Sequence, residues 1–308
     1  MLAKLSHAQW QEFEREGYLR LGRCLTGDEL AAIQLRMDEI MLGTAPVDYS
    51  RMMMQLDRIP GKTDAPGPGG KGHKGATLHY RKIQDLEFDP LFLRYMQKPL
   101  FRHICSMVYG ADTPVSCMRA MFMNKPAADP ADGGGQAGQS VGGTHLVWHQ
   151  DRWTFFDRDP LITIWTALDP ATVANGCVHI APRRHHTLIN PSHVSGFMTD
   201  DQAQALVAEA ETVPVEMEAG EAELLQISAA QPRRQLHLRC PPRFQRLLHG
   251  CCNCRHPQPR VLADLRRRRA RSGTAMTVAG YCMSGGNHAT RNRPGKKGTD
   301  AAGRLLLR

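Results

Sequence analysis

The sequence changes in character at about residue 226, and this change limits which part of the chain can form a folded domain. The 308 residues include 39 Lys and Arg and 30 Asp and Glu, and residues 227–308 hold 18 of these basic residues but two of the acidic ones. Residues 1–226 therefore carry 21 basic and 28 acidic groups, a net charge of −7, against +16 in the remainder. This asymmetry predicts a globular domain over 1–226 and a basic tail over 227–308.

The first 226 residues carry the signals of helices followed by many short strands. Capping boxes at 6–9 and 26–29 predict two helices, and Asp89-Pro90 predicts a third that continues to about residue 108. Residues 60–75 are rich in Gly, Pro and Lys, which favours an exposed loop. Strand-like segments follow at 114–124, 144–149, 161–168 and 176–181. This order predicts an α+β protein built on a β-sandwich or barrel.

Bulk properties exclude several classes of protein. No apolar run approaches the ~20 residues of a membrane span, and the N-terminus lacks the basic and then apolar pattern of a signal peptide. Nine cysteines, an odd number, favour reduced thiols over a disulfide framework. We therefore expect a cytoplasmic protein with no membrane partner. Because the basic charge belongs to the tail, we also expect no specific nucleic-acid partner.

A candidate metal-binding motif lies at His149-Gln150-Asp151, between an apolar run and an aromatic stretch. Residues two apart on a strand point to the same face, so the imidazole and the carboxylate can share one cavity. These two groups supply two of the three ligands of a 2-His-1-carboxylate triad, which binds non-heme Fe(II) and leaves positions open. The motif thus predicts part of an iron site.

Four segments between Leu5 and Leu225 resemble the phytanoyl-CoA dioxygenase family, whose members are Fe(II)- and 2-oxoglutarate-dependent oxygenases on a double-stranded β-helix, or jelly-roll. The segments are FEREGYLRLGRCLTGDEL (13–30), LHYRKIQDLEFDPLF (78–92), WHQD (148–151) and IWTALDPATVANGCVHIAPRRHH (164–186). The chain departs from the family pattern at Arg183, which replaces a turn glycine.

The resemblance implies a set of site residues and a reaction. His149 and Asp151 would be iron ligands, Trp165 would line the 2-oxoglutarate pocket, and Lys125 would lie in the same pocket. Asn175-Gly176 would form a tight turn between two core strands. The implied cofactors are Fe(II) and 2-oxoglutarate, with oxygen as the other reactant. The implied reaction couples decarboxylation of 2-oxoglutarate to succinate with hydroxylation of a small-molecule or lipid-like substrate.

The pattern of the family ends near residue 226. There the resemblance requires a strand, a second iron histidine and an arginine that binds the 2-oxoglutarate carboxylate. The chain instead has a Cys, Pro, Arg and His bias with four consecutive arginines at 266–269. Codons for 230–250 read in a shifted frame permit H-S-x-x-x-N-S-T-S-x-x-R-R-A-F-S-V-C-Y-M, which resembles the missing segment. We therefore hypothesise a one-base frameshift near codons 224–229, with the C-terminal strands lost or disordered and iron and cosubstrate binding weakened.

Other interpretations of the tail stay open at this point. Cys251, Cys252, Cys254 and His256 resemble part of a zinc cluster but lack a second spaced pair. Arg266–Arg271 are able to bind polyanions electrostatically. His237 or His249 would complete the iron site only if the Pro- and Arg-rich tail formed a core strand. The alternative function is a non-catalytic remnant with a polyanion-binding tail.

Overall fold

Five α-helices appear in the computed structural model, which describes residues 2–59, 62–125, 147–152, 160–226, 273–283 and 306–307. They are α1 (His7–Glu16), α2 (Gly27–Leu42), α3 (Pro90–Met96), α4 (Pro99–Tyr109) and α5 (Asp200–Glu209). The predicted capping boxes are confirmed, because the Ser6 and Thr26 hydroxyls accept from the backbone N–H three residues later and the Gln9 and Glu29 side chains accept from the cap N–H.

The described strands are mostly short. They are β1 (Tyr18–Arg23), β2 (Met53–Leu56), β3 (Arg58–Ile59), β4 (Lys62–Pro66), β5 (Gly69–Lys71), β6 (Tyr80–Gln84), β7 (Val115–Lys125), β8 (Ile162–Ala167), β9 (His179–Ile180), β10 (Val213–Pro214), β11 (Glu221–Gln226), β12 (Gly273–Met283) and β13 (Leu306–Leu307). Helices together with antiparallel strands confirm the predicted α+β class.

One large antiparallel sheet organises the molecule. Its strand order is β1-β11-β8-β12-β7-β6-β2-β5, with β13 also paired to β7. Strands β9 and β10 pair separately, and isolated bridges join His149 to Phe197 and Ala171 to Met217. These smaller pieces form a second layer, because Val178, Ile180 and Met217 pack with Trp165 and Ala167 of β8.

The two faces of β8 enter two different hydrophobic cores. Ile162 and Ile164 pack with the helices in the main core, whereas Trp165 and Ala167 pack with residues of the second layer such as Cys177 and Met217. Alternate residues of a strand point to opposite faces, so β8 is buried along its whole length. The site described below lies on the Trp165 face.

The third predicted helix is wrong in its length. Instead of one helix to residue 108, α3 ends at Met96 and α4 begins at Pro99. Proline has no N–H to continue a helix and restricts the residue before it, so Pro99 begins a new helix rather than continuing the old one. The predicted loop at 60–75 likewise contains β4 and β5, which pair with β3 and β2.

Residues 273–283 lie within the predicted tail and form a strand. Their backbone forms β12, which pairs with β7 from Gly273 to Met283 and with β8 from Ala275 to Ala279. The physical reason is that β7 and β8 do not pair with each other, so a strand between them satisfies the backbone hydrogen bonds of both. The remainder of the predicted tail lies outside the described residues, except for β13.

Within the described part of the chain, none of the helices combines the length and the hydropathy that crossing a bilayer requires.

Candidate active site

The structure brings His149 and Asp151 together on one side of the segment 147–152. The backbone of this segment pairs with residues 196–198: Gln150 N–H donates to the Gly196 carbonyl (3.1 Å) and Met198 N–H donates to the Trp148 carbonyl (3.0 Å). In this extended pairing His149 Nε2 lies 3.5 Å from Asp151 Oδ1. The pairing therefore produces the shared face that the sequence predicts.

The imidazole of His149 is oriented from three directions. Its Nδ1 lies 2.9 Å from the Val147 carbonyl oxygen, and since a carbonyl only accepts, Nδ1 carries the hydrogen. Its ring stacks on Phe197, with centroids 4.9 Å apart and planes 26° from parallel. Nε2 is consequently the nitrogen that faces Asp151, and a hydrogen bond from the other ring nitrogen is the usual companion of a histidine metal ligand.

The carboxylate of Asp151 also affects the pKa of His149. Burial disfavours the imidazolium, but the hydrogen bond and negative charge of Asp151, together with the Val147 carbonyl, outweigh burial and raise the pKa of His149. The second carboxylate oxygen of Asp151 accepts from the Thr163 hydroxyl at 3.4 Å. Thr163 belongs to β8, so the large sheet helps to position the carboxylate.

All four site residues proposed from the sequence line one cavity of about 730 Å³. These residues are His149, Asp151, Trp165 and Lys125. Trp165 is 8% exposed and contributes both to the cavity surface and to the second core. The cavity is large enough for two small organic molecules or for one small molecule and part of a larger one.

Lys125 contacts the predicted turn rather than His149 or Asp151. Its Nζ donates to the Gly176 carbonyl, and burial lowers its pKa. The expected turn at Asn175-Gly176 is present, with Gly176 at φ 80°. This backbone conformation favours glycine, and a Cβ on Gly176 would lie 2.9 Å from Lys125 Nζ, so the lysine side chain would have to shift to make room for it.

Lys82 is a candidate that the sequence analysis missed. Burial and the charges of Arg119 and Arg81 lower the pKa of Lys82, while the charge of Asp151 acts in the opposite direction. Lys82 also disfavours the charged form of His149, so its charge acts on both His149 and Asp151. The only sequence signal was a lysine in the segment 78–92, and its significance depends on the pairing of β6 with β7.

Glu223 is a second group that sequence reasoning did not single out. It is 1% exposed, and neither carboxylate oxygen has a hydrogen-bond partner among the described residues. Burial raises its pKa to about 7, with a smaller opposing effect of Arg20. Its strand neighbour in β8 is Trp165, so it lies beside the site, although it does not line the cavity.

The two histidines after Pro182 differ in burial. His185 is 6% exposed and packs against Gly17 at the end of α1, whereas His186 is exposed. Gly17 leaves the space for this ring, because a Cβ there would overlap it. Arg183, the departure from the family pattern, adopts φ 62° and forms an ion pair with Glu16 at 3.0 Å.

Among the residues that the structure describes, no group of three His, Cys, Asp or Glu side chains could hold a metal ion. The further candidates of the tail fall outside those residues: His237, His249, the cysteines at 251–254 with His256, and the arginines at 266–271.

Comparison with known proteins identifies relatives of this chain. Residues 13–228 match the family model described as phytanoyl-CoA dioxygenase (PhyH). A probable phytanoyl-CoA dioxygenase of Caenorhabditis elegans is 26% identical over 190 residues, covering 61% of this chain and 55% of that protein. A phytanoyl-CoA dioxygenase of Arabidopsis thaliana is 25% identical over 236 residues, covering 70% of this chain and 78% of that one. The chain thus spans little more than half the length of the C. elegans relative.

Solved structures show the same fold. EctD from S. alaskensis with 2-oxoglutarate and 5-hydroxyectoine superposes with a TM-score of 0.53 at 17% identity, covering 73% of this chain and 68% of that chain. The same protein with bound Fe gives a TM-score of 0.51 at 16% identity, with coverage of 73% and 69%. The jelly-roll architecture predicted from the sequence is therefore confirmed.

Proposed function

This chain belongs to the phytanoyl-CoA dioxygenase family, and we propose that it is an Fe(II)- and 2-oxoglutarate-dependent oxygenase that hydroxylates a small-molecule or lipid-like substrate. The observation that carries the proposal is the His149–Asp151 pair, which lines a cavity of about 730 Å³ together with Trp165 and Lys125. Substrate and oxygen are the expected partners. The cytoplasmic location stays a prediction from the sequence.

The donor set fits a ferrous ion. Two ligands that each lie about 2.1 Å from a metal are separated by no more than about 4.2 Å, and His149 Nε2 and Asp151 Oδ1 are 3.5 Å apart. The Val147 carbonyl keeps the hydrogen of the neutral imidazole on Nδ1, which leaves the Nε2 lone pair for a metal. One neutral imidazole and one carboxylate are ligands that iron(II) oxygenases use.

Bound Fe(II) and 2-oxoglutarate supply oxygen activation coupled to decarboxylation, and the protein supplies orientation and the exclusion of water. His149 and Asp151 would hold the metal against the cavity wall. Lys125 lines the same cavity and Lys82 acts electrostatically on both residues; these two partly buried cations would favour a dianionic cosubstrate. Trp165 would pack against the cosubstrate from β8.

We further propose that binding of both cofactors is weakened in this chain. The support is the loss of the family pattern after residue 226, where the second histidine and the arginine are required, and the family match itself ends at residue 228. The cause that we propose for this loss is the one-base frameshift near codons 224–229, and DNA sequencing over codons 220–260 tests it directly. A single-base change that restores the histidine and arginine segment supports it, and the absence of any such change contradicts it.

Succinate formation from 2-oxoglutarate tests the proposed function. The purified chain with Fe(II) should convert 2-oxoglutarate slowly, a chain with the restored reading frame should convert it faster, and His149→Ala should abolish the conversion in both. His7→Ala, an exposed histidine of α1, is the matched control and should change nothing. Conversion that survives His149→Ala contradicts the proposal.

The alternative is a non-catalytic remnant, which the charge of +16 in residues 227–308 favours. Such a protein would show no turnover in either reading frame. It would instead bind nucleic acid in a salt-sensitive way that His149→Ala leaves unchanged.

A further inference from the structure

One wall of the cavity is attached to residues 147–152, the metal-binding segment of the proposed function, by the side chain of Gln150 and by a hydrogen bond from Arg152 to the Pro191 carbonyl. We call residues 184–198 the 184–198 wall; its members that line the cavity are Arg184, His185, Ile189 and Met198. Gln150 Nε2 donates to the carbonyl oxygens of Arg184 (3.2 Å) and Thr187 (3.0 Å), and Gln150 Oε1 accepts from the Ile189 N–H (2.8 Å). One amide therefore forms three hydrogen bonds across some 35 residues of sequence.

The other end of the same wall meets the backbone of Gln150. Gln150 N–H donates to the Gly196 carbonyl, and a Cβ on Gly196 would overlap the Gln150 carbonyl oxygen. Gly196 also has φ 68°, a conformation that glycine adopts without strain. The close approach between the wall and the segment therefore requires glycine at position 196.

Phe197 is the residue of the wall that contacts His149. Its ring stacks on His149, and its backbone is fixed because Asn190 Nδ2 donates to its carbonyl at 2.7 Å. His193 Nδ1 accepts from the Phe197 N–H at 3.2 Å, and the two rings meet edge to face with centroids 5.6 Å apart. A displacement of the wall would therefore move the ring against which His149 packs.

We propose that Gln150 is a positioning residue that clamps the 184–198 wall to the metal-binding segment, so that Phe197 holds His149 for the metal and metal binding in turn orders the wall. The coupling to metal rests on the proposed function, whereas the clamp itself does not. A glutamine suits this position because its amide is both donor and acceptor. A glutamate keeps the acceptor for Ile189 N–H but places an oxygen against the Arg184 and Thr187 carbonyls.

Hydrogen exchange of the metal-free full chain tests the clamp. Gln150→Ala should exchange at least about tenfold faster than wild type in peptides covering 184–198, since three hydrogen bonds are lost. Gln150→Glu should also exchange faster than wild type, since it retains one bond but places a carboxylate oxygen against the Arg184 and Thr187 carbonyls. Gln9→Glu is the matched control, because the Gln9 side chain only accepts from Ser6 N–H and a glutamate does the same. Wild-type exchange in a folded Gln150→Ala or Gln150→Glu variant overturns the proposal.

Ni(II) as a redox-stable probe tests the coupling, because imidazole is a favourable ligand for it. Ni(II) should slow exchange across 184–198 in wild type but not in Gln150→Ala, and calorimetry should show about tenfold weaker Ni(II) binding by the variant although both donors remain. Equal affinities with equal slowing overturn the coupling. A wild-type chain that binds no Ni(II) overturns the proposed function and the coupling, while the metal-free exchange still decides the clamp.

Discussion

The ring of Phe197 stacks on the imidazole of His149, with centroids 4.9 Å apart. This contact joins a residue of the 184–198 wall to a candidate iron ligand. The hydrogen bond from His149 Nδ1 to Val147 fixes one edge of the imidazole, and Phe197 covers one face. Together they leave Nε2 directed at Asp151.

Replacing Phe197 with leucine should weaken metal binding without removing a donor. Aromatic pairs contribute about 0.5–1.5 kcal/mol beyond the area that they bury, so the expected loss is about threefold to tenfold in affinity. Calorimetric titration with Ni(II) measures it. Phe197→Tyr keeps the stacked ring and serves as the control; equal binding by the leucine and tyrosine variants would show that the stack has no such role.

Lys82 and Lys125 should contribute unequally to cosubstrate binding. Lys82 acts electrostatically on both His149 and Asp151 but does not line the cavity, whereas Lys125 lines it and donates to the Gly176 carbonyl at the turn. We therefore expect Lys125→Met to raise the KM for 2-oxoglutarate more than Lys82→Met does, by about tenfold for one lost charge-assisted contact. Lys71→Met, on the short strand β5, is a control that should behave as wild type. The opposite order would place the anion nearer Lys82 than the turn.

Glu223 should make the folding stability depend on pH. Its folded-state pKa of about 7 exceeds its ordinary value of 4.5, so the folded protein binds the proton more tightly than the unfolded chain does. The contribution is fully present below pH 4.5 and is lost as the pH rises to about 7, amounting to about 3 kcal/mol.

The isosteric change Glu223→Gln should remove this dependence. Denaturant unfolding at pH 5 and pH 8 should show a smaller decrease for the variant than for wild type. Glu87, whose pKa burial also raises to about 7, contributes a similar decrease in both proteins and so does not affect the comparison. Equal decreases in the two proteins would mean that Glu223 is not protonated in the folded state.

Replacing Arg183 with glycine should leave the protein more stable than replacing it with alanine. It adopts φ 62°, where a Cβ is strained, and its guanidinium pairs with Glu16. Arg183→Gly and Arg183→Ala both lose the ion pair, but only the alanine variant keeps the backbone strain. The glycine variant should therefore be about 1 kcal/mol more stable in denaturant unfolding. If alanine is as stable as glycine, the left-handed conformation at this position is not retained.

Local sequence patterns were sufficient to predict those elements whose stabilising contacts lie within a few residues of each other. The capping boxes at Ser6 and Thr26 began helices as predicted, because a cap is satisfied by atoms three residues away. The alternation at His149 and Asp151 was equally local. The third helix was predicted too long, because Pro99 has no N–H with which to continue a helix and begins a new one.

The sequence by itself determined the residue types of the site, the capping of its helices and the point at which the family pattern ends. Only the tertiary structure decided that Lys82 lies near Asp151, that Gln150 binds the 184–198 wall, that Glu223 is buried beside Trp165 and that residues 273–283 pair between β7 and β8. The reason is physical: these relationships join residues distant in the chain, and strand register and burial, which no local pattern contains, set which side chains meet.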